Sequence, residues 1–352
     1  MTERKLPAHL GYFMPAEWEP HAATWMSWPH NPDTWPGQDM NEVEATYYFM
    51  VGALSGGERV RILLPDTATA ARVRAEAARR GLGSGRVEWL VLPTNDAWIR
   101  DYGPNFLVRE TPAGREVAFN KWDFDSWGGK YPHDKDNCVG EVLAGRLGLP
   151  VFRPALVLEG GAIEVDGQGL CLTTTTCLLN PNRNGGPSRA AMERTLKDYL
   201  GVSRVIWLEG GIEGDDTDGH IDNLARFYAP GKVLCAFDEQ GPAVHVENYR
   251  RLQQEADRGG LEVRPMPLPG PFGPPGEPLP ASYLNFYIGN RVVLLPVYGV
   301  EADAEAEARL AAAFPGRRVI PVPSQTLIWG LGSIHCLTQQ QPQETRASAS
   351  DF

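Results

Sequence analysis

Ser188-Arg189-Ala190-Ala191-Met192-Glu193-Arg194-Thr195-Leu196-Lys197-Asp198-Tyr199-Leu200-Gly201-Val202-Ser203-Arg204-Val205-Ile206-Trp207-Leu208-Glu209-Gly210-Gly211 sets a helix, its stop signal and a strand one after another. Ser188 suits a helix N-cap, because its hydroxyl can accept from an amide that the helix leaves unpaired. Gly201 is the expected stop, since glycine takes the left-handed conformation that ends a helix at no steric cost. A β-rich run, Ser203 to Leu208, follows at once. The same order recurs at Asp66 to Arg80 followed by Arg86 to Leu92, and at Glu301 to Phe314 followed by Arg318 to Val322. Helices alternating with short strands predict an α/β architecture.

The quoted stretch ends in Leu208-Glu209-Gly210-Gly211, and the same tetrapeptide stands 50 residues earlier as Leu158-Glu159-Gly160-Gly161. Each follows a β-branched run, so the pair marks either a repeated structural module or a coincidence. Between Arg264 and Pro280 the density of proline and glycine excludes a helix or a central strand. That leaves a long loop, lying over an active site or simply on the surface. The polar tail from Gln343 to Phe352 is expected to fray. No convincing linker divides the chain, so residues 1–342 are read as one domain.

The 352 residues, 42% hydrophobic and 22% charged with a mean hydropathy of -0.31, have the composition of a globular protein with room for a sizeable core. No apolar run approaches the roughly 20 residues of a membrane span. The start, Met1-Thr2-Glu3-Arg4-Lys5-Leu6-Pro7, lacks the apolar core of a signal peptide, and a cytoplasmic location is expected. Cys138, Cys171, Cys177, Cys235 and Cys336 are odd in number, scattered and never in a Cys-x-x-Cys pair, which argues against a disulfide framework and a zinc ribbon. The formal charge of -11 argues against nucleic acid as a partner and favours a small cation.

Four segments carry candidate chemistry. Gly214 to Asn223 packs Asp215, Asp216, Asp218, Asp222 and His220 into ten residues. In an extended conformation His220 and Asp222 point to one side, placing an acid or base next to a carboxylate. The same segment also reads as a calcium-binding or solvated acidic loop. Trp98-Ile99-Arg100-Asp101-Tyr102-Gly103-Pro104 offers an aromatic face and a carboxylate near a strand exit, suited to a planar cation, although Trp98 could equally be core and Asp101 a turn cap. Glu159 lies at a strand end where glycines allow close approach, and its functional reading is a carboxylate orienting His220. Gly330-Leu331-Gly332-Ser333-Ile334-His335-Cys336 leads through glycines to a cysteine, a loop that a cysteine buried as a small hydrophobe would not need.

Taken together, these segments resemble the agmatine deiminase family, also called the bacterial-type peptidyl-arginine deiminase family, of the guanidine-modifying pentein superfamily. The likeness begins at Met14-Pro15-Ala16-Glu17-Trp18-Glu19-Pro20-His21, continues through Thr24 to Pro29, and returns in family order at Trp98, Leu158, Asp215 and Gly330. The resemblance implies a five-bladed α/β propeller with its active site on the central axis. It also implies Cys336 as nucleophile, His220 as general acid and base, Asp101 and Asp222 as guanidinium ligands, and Glu159 as the partner of His220.

Such an enzyme hydrolyses a guanidinium group through a covalent amidino-cysteine. The thiolate could be formed by a protonated His220 or by the bound cation itself. Asp215 and Asp216 suit a distal ammonium better than a carboxylate, which favours agmatine, converted to N-carbamoylputrescine and ammonia on a route to putrescine. Two departures from the family pattern stand out: Asp215-Asp216-Thr217 replaces a longer Asp-Asp-Glu-Thr, and Gly330-Leu331-Gly332-Ser333 replaces Gly-Gly-Gly-Asn. The rivals are a deiminase of arginine within peptides, a metal-dependent hydrolase using His220 and Asp222, and a propeller that only binds a cation. No cofactor or metal is expected, and a homo-oligomer is left open.

Overall fold

The computed structural model describes residues 6–82 and 85–345. Thr67–Arg79, Arg189–Leu200 and Ala302–Ala313 are helices, each followed by a strand, at Val87–Val91, Arg204–Leu208 and Arg318–Pro323. The Ser188 side chain accepts from the Ala191 amide, and Gly201 closes that helix at φ 68°. Asp66 caps its own helix in the same way, by accepting from Thr69 N.

Among the described residues the strands form five sheets. Four are built alike: two antiparallel strands, a helix, and a third strand parallel to the second. They comprise Asn105–Thr111, Gly114–Asn120 and Val151–Phe152; Glu164–Val165, Leu170–Thr174 and Arg204–Leu208; Ala225–Ala229, Lys232–Ala236 and Glu262–Met266; and Tyr287–Ile288, Val292–Val297 and Arg318–Pro323. The fifth draws on both ends of the chain. Thr338–Pro342 pairs antiparallel with His21–Ser27, which continues in parallel to Arg59–Leu64 and Val87–Val91. Five blades closed by the first and last strands make a five-bladed α/β propeller. Among the described residues no helix is long and apolar enough to cross a membrane.

The ring positions the site through one recurring device. After the last strand of each blade the chain enters a short turn and then begins the next blade. These turns are Ile99–Tyr102, Gly160–Ala162, Ile221–Asn223, the residues 282–285, and the residues 333–337. The two Leu-Glu-Gly-Gly stretches stand at different steps of this path: Glu159 directly precedes the turn Gly160–Ala162, as His220 precedes Ile221–Asn223, whereas Glu209 directly follows the strand Arg204–Leu208. Their glutamates differ: Glu159 is wholly buried, whereas Glu209 binds Arg251 and Thr175 at a partly exposed position.

The proline-rich expectation needs one correction. Arg264, Pro265 and Met266 complete the strand Glu262–Met266. Proline is tolerated there because the strand is at its sheet's edge. The remainder, 267–280, is irregular. Of the expected frayed tail, Gln343 N–H donates to Pro20 O at 2.8 Å and Thr345 N–H to Arg115 O at 3.2 Å, while 346–352 lie outside the described residues.

Candidate active site

A cavity of about 810 Å³ reaches Cys336 and is lined by Trp98, Asp101, Trp127, Asp216 and Trp329 among others. Leu279 and its neighbours Glu277 and Pro278 also line it, so the proline-rich loop does border the site. The glycines before Cys336 serve close packing. A Cβ at Gly332 would lie 2.6 Å from the Trp98 ring, and one at Gly330 2.8 Å from Trp35 Nε1. Trp98 is 5% exposed, and its ring centroid lies 5.7 Å from that of Trp35.

Cys336 is 7% exposed. Its Sγ lies 3.2 Å from Asn285 Nδ2 and 3.7 Å from Asp222 Oδ2. Asp222 Oδ2 also contacts His335 Nδ1 at 2.8 Å, whereas Asp222 Oδ1 is buried with no hydrogen-bond partner. Asp101 Oδ1 accepts from Gly161 N–H at 2.9 Å and Oδ2 from Trp127 Nε1–H at 3.0 Å. His220 Nδ1 stands 3.9 Å from Asp101 Oδ1, and neither of its ring nitrogens has a hydrogen-bond partner. A Cβ at Gly161 would lie 2.6 Å from His220 Nδ1, 2.9 Å from Asp101 Oδ1 and 3.2 Å from Asp222 Oδ2. Glycine at 161 therefore keeps open the point on which three titratable groups converge.

Glu159 is placed differently from the expected His220 partner. Its Oε1 accepts from Arg183 Nε at 2.5 Å, Oε2 has no partner, and no hydrogen bond joins it to His220. An oxygen of Glu159 is nonetheless within 4.8 Å of a His220 ring nitrogen. The acidic pair upstream of His220 is split. Asp216 lines the cavity, with Lys130 Nζ 3.2 Å from its Oδ1 and the Tyr131 hydroxyl donating to its Oδ2 at 2.6 Å. Asp215 faces a different cavity and accepts from Thr217.

Burial without compensation sets the electrostatics. Burial, then Asp222 and Asp101, push the Cys336 thiol well above its ordinary value. Burial, then Asp222 and Glu159, push Asp101 up to about 8. His220 is pushed down to about 4, chiefly by burial. For Asp222 burial would act upward, but the His335 contact and nearby positive charge outweigh it and lower the carboxyl. The site thus holds a neutral thiol, a neutral imidazole and one ionised carboxylate, an arrangement short of positive charge.

Several participants were not singled out from sequence. Asn285 contacts Cys336 from the fourth inter-blade turn, and counting one inward polar residue per blade could have found it. Trp127 is delivered by a strained turn, with Ser126 at φ 59° and Trp127 at φ 57°, for which composition gives no signal. Beneath these lies a saturated network. Glu17 Oε1 accepts from Arg226 Nη2 at 2.9 Å and Ile288 N at 2.8 Å, while Oε2 contacts Arg100 Nη2 at 3.2 Å and His335 Nε2 at 2.9 Å. Burial would raise Glu17, yet Arg226, His335 and Arg100 hold it well below the usual carboxylate range.

Known proteins share this frame. The agmatine deiminase of Pseudomonas aeruginosa is 37% identical over 97% of this chain and 98% of its own. A solved structure of the agmatine deiminase of Enterococcus faecalis catalysing its reaction is 31% identical and superposes with a TM-score of 0.88 over 97% of this chain and 98% of that one. One of the C. jejuni agmatine deiminase with substrate bound, in a cysteine-to-serine variant, is 28% identical with a TM-score of 0.83 over 95% and 97%. The model of the Porphyromonas-type peptidyl-arginine deiminase family matches residues 13–342, which take in all five blades. With its five blades, its central thiol and its paired aspartates, the chain belongs to that family.

Proposed function

We propose that this protein hydrolyses agmatine to N-carbamoylputrescine and ammonia, as a single catalytic domain, through a covalent amidino intermediate on Cys336. The observation that carries this reading is the convergence of Cys336 Sγ, Asp222 and Asp101 at the buried end of one cavity. Relatives named agmatine deiminase over nearly the whole chain support the choice of substrate. All five cysteines are free, which suits a reducing compartment, and we place the reaction in the cytoplasm.

The order of events follows from the charges. A guanidinium seated between Asp101 and Asp222 supplies the missing positive charge and favours ionisation of both Asp101 and Cys336. Because His220 is neutral in the free site, the substrate cation, and not a preformed imidazolium, is the trigger for the thiolate. The thiol proton passes to His220 as sulfur bonds to the guanidinium carbon. His220 returns that proton to the departing nitrogen, the C–N bond breaks, and ammonia leaves. Neutral His220 then takes a proton from water and the hydroxide attacks the amidino carbon. As the C–S bond breaks, the hydroxyl proton passes to the leaving Cys336 sulfur, the ureido product is freed, and His220 gives up its proton to the released ammonia or solvent. Asp216 receives the distal ammonium in exchange for its contact with Lys130, which keeps Asp218 as a partner, while Asp215 takes no part in it.

Ammonia release from agmatine, free arginine and a peptide with an internal arginine tests this, each with Cys336→Ala and with chelator. Turnover of agmatine that needs Cys336 and resists chelator is expected. Preference for the peptide would overturn the substrate, and undiminished turnover in Cys336→Ala would overturn the covalent step.

A further inference from the structure

Glu159, Cys177 and His220 are the one group of three zinc-type ligands among the described residues, with a carboxylate oxygen, a sulfur and a ring nitrogen all within 4.8 Å of one another. Cys177 and Glu159 are 0% exposed and His220 is 1% exposed. Glu159 Oε2 and both ring nitrogens of His220 have no hydrogen-bond partner. Two buried polar side chains thus offer uncommitted atoms beside a thiol that the proposed reaction does not use. The backbone holds this thiol in place. Cys177 sits on the short helix Thr175–Leu178, capped by Thr174, whose hydroxyl donates to Gly219 O at 2.6 Å, next to His220.

A second cavity, of about 540 Å³, reaches the same helix and shares no lining residue with the cavity at Cys336. It is lined by Thr175, Thr176, Gly219, Asp215 and Asp218, and Asp215 Oδ2 is a buried atom with no hydrogen-bond partner. Asp218 is already held by Arg183 and Lys130, which leaves Asp215 as the carboxylate that can attract a cation at this opening. Asp215, which the agmatine cavity leaves out, stands on this approach.

We propose that Glu159, Cys177 and His220 form an inhibitory site for a soft divalent cation such as Zn²⁺, with the cavity of Asp215 bordering Thr176 and Gly219, the residues just before Cys177 and His220. Thiolate, imidazole and carboxylate are a zinc ligand set, with water completing a tetrahedron. Tetrahedral bonds of about 2.0–2.3 Å require the three atoms to close by roughly 1 Å from the widest separation stated. As the metal–sulfur bond forms, the thiol proton leaves to solvent, and no oxidation state changes. One thiolate and one carboxylate neutralise the dication. Arg183 can therefore remain on Glu159 Oε1 without facing net positive charge. The occupied site withholds His220 from proton transfer. This inhibitory consequence rests on the proposed role of His220; the binding does not.

Zn²⁺ itself is the probe, applied to the full chain in a Cys138→Ser background, since Cys138 is the exposed thiol. With Cys336→Ala the chain should bind Zn²⁺ in calorimetric titration, and Co²⁺ should give a thiolate-to-metal absorption band. Adding Cys177→Ala should erase the band and weaken binding by at least ~100-fold, the upper end of what losing an outer-shell partner costs. With Cys336 intact, Cys177→Ala should turn over agmatine and escape Zn²⁺ inhibition. Zn²⁺ inhibition unchanged by Cys177→Ala, or no Zn²⁺ binding to Cys336→Ala, would overturn the site. If Cys177→Ala does not fold, Cys177→Ser and the Co²⁺ spectrum of Cys336→Ala decide. Should agmatine prove not to be the substrate, titration and spectrum still test the metal site alone.

Discussion

Two buried charged clusters meet at the propeller's centre, joined by His335, whose ring bridges Glu17 Oε2 and Asp222 Oδ2. Around Glu17 each carboxylate oxygen has two partners. Around Asp101, His220, Asp222 and Cys336, by contrast, ring nitrogens and a carboxylate oxygen go unpaired, and like charges press on one another. Burial costs both clusters alike; only the first is compensated from within. On the proposed function the second is compensated by a cation from outside the chain, and so the comparison separates support from function.

The most severe test is Cys336→Ala. It should reduce agmatine turnover by at least ~10⁶-fold, the lower end of enzymatic rate enhancements, while leaving urea denaturation nearly unchanged. Ammonia release measures the first and circular dichroism the second. Glu17→Gln should do the reverse, with stability as its main casualty. Removing one partner from a saturated buried network leaves Arg100 and Arg226 facing a neutral amide, at a loss of ~3–5 kcal/mol of unfolding free energy. A loss within ~0.5 kcal/mol, as for an ordinary surface change, would break the comparison.

Asp101→Asn sharpens it further. Losing a proposed guanidinium ligand should lower kcat/KM by ~10²–10³-fold. Stability should show the opposite sign from Glu17→Gln at neutral pH. Asp101 is pushed from 3.8 up to about 8 in the folded chain. Between those values the folded state holds more protons than the unfolded one, so stability falls as pH rises through the window. In Asp101→Asn that decline should be shallower, as measured by denaturation at several pH values. An unaltered slope would mean that Asp101 is not the uncompensated group.

Much of this division could be read from the sequence, because the residue types of the second cluster are reactive ones in marked surroundings. His220 and Asp222 sit two apart in an acidic run, and Cys336 follows a glycine pair. Helix caps at Ser188 and Gly201 gave the α/β alternation directly. The supporting cluster was less visible, since Glu17, Arg100 and Arg226 are ordinary charged residues until the ring brings distant blades together. Glu159 shows the same limit: its tetrapeptide marks its place, but its pairing with Arg183 depends on a loop that local spacing does not report. Asp215 and Asp216, adjacent in sequence, face different cavities because successive side chains there diverge.

The mildest expected effect belongs to Trp127→Phe. The indole N–H donates to Asp101 Oδ2 at 3.0 Å, and two successive residues with positive φ hold the ring there. Phenylalanine keeps the aromatic wall of the cavity and removes only this donor. A hydrogen bond to an ionised group contributes ~1.5–3 kcal/mol, and Asp101 keeps its Gly161 donor, so the lower figure applies. In the proposed reaction Asp101 would hold the guanidinium in the ground state and the transition state alike. The loss should therefore appear as a ~10-fold rise in KM for agmatine with kcat nearly constant. A fall in kcat at unchanged KM would instead place Trp127 in the transition state, and would move the boundary between supporting and reacting residues one shell inward.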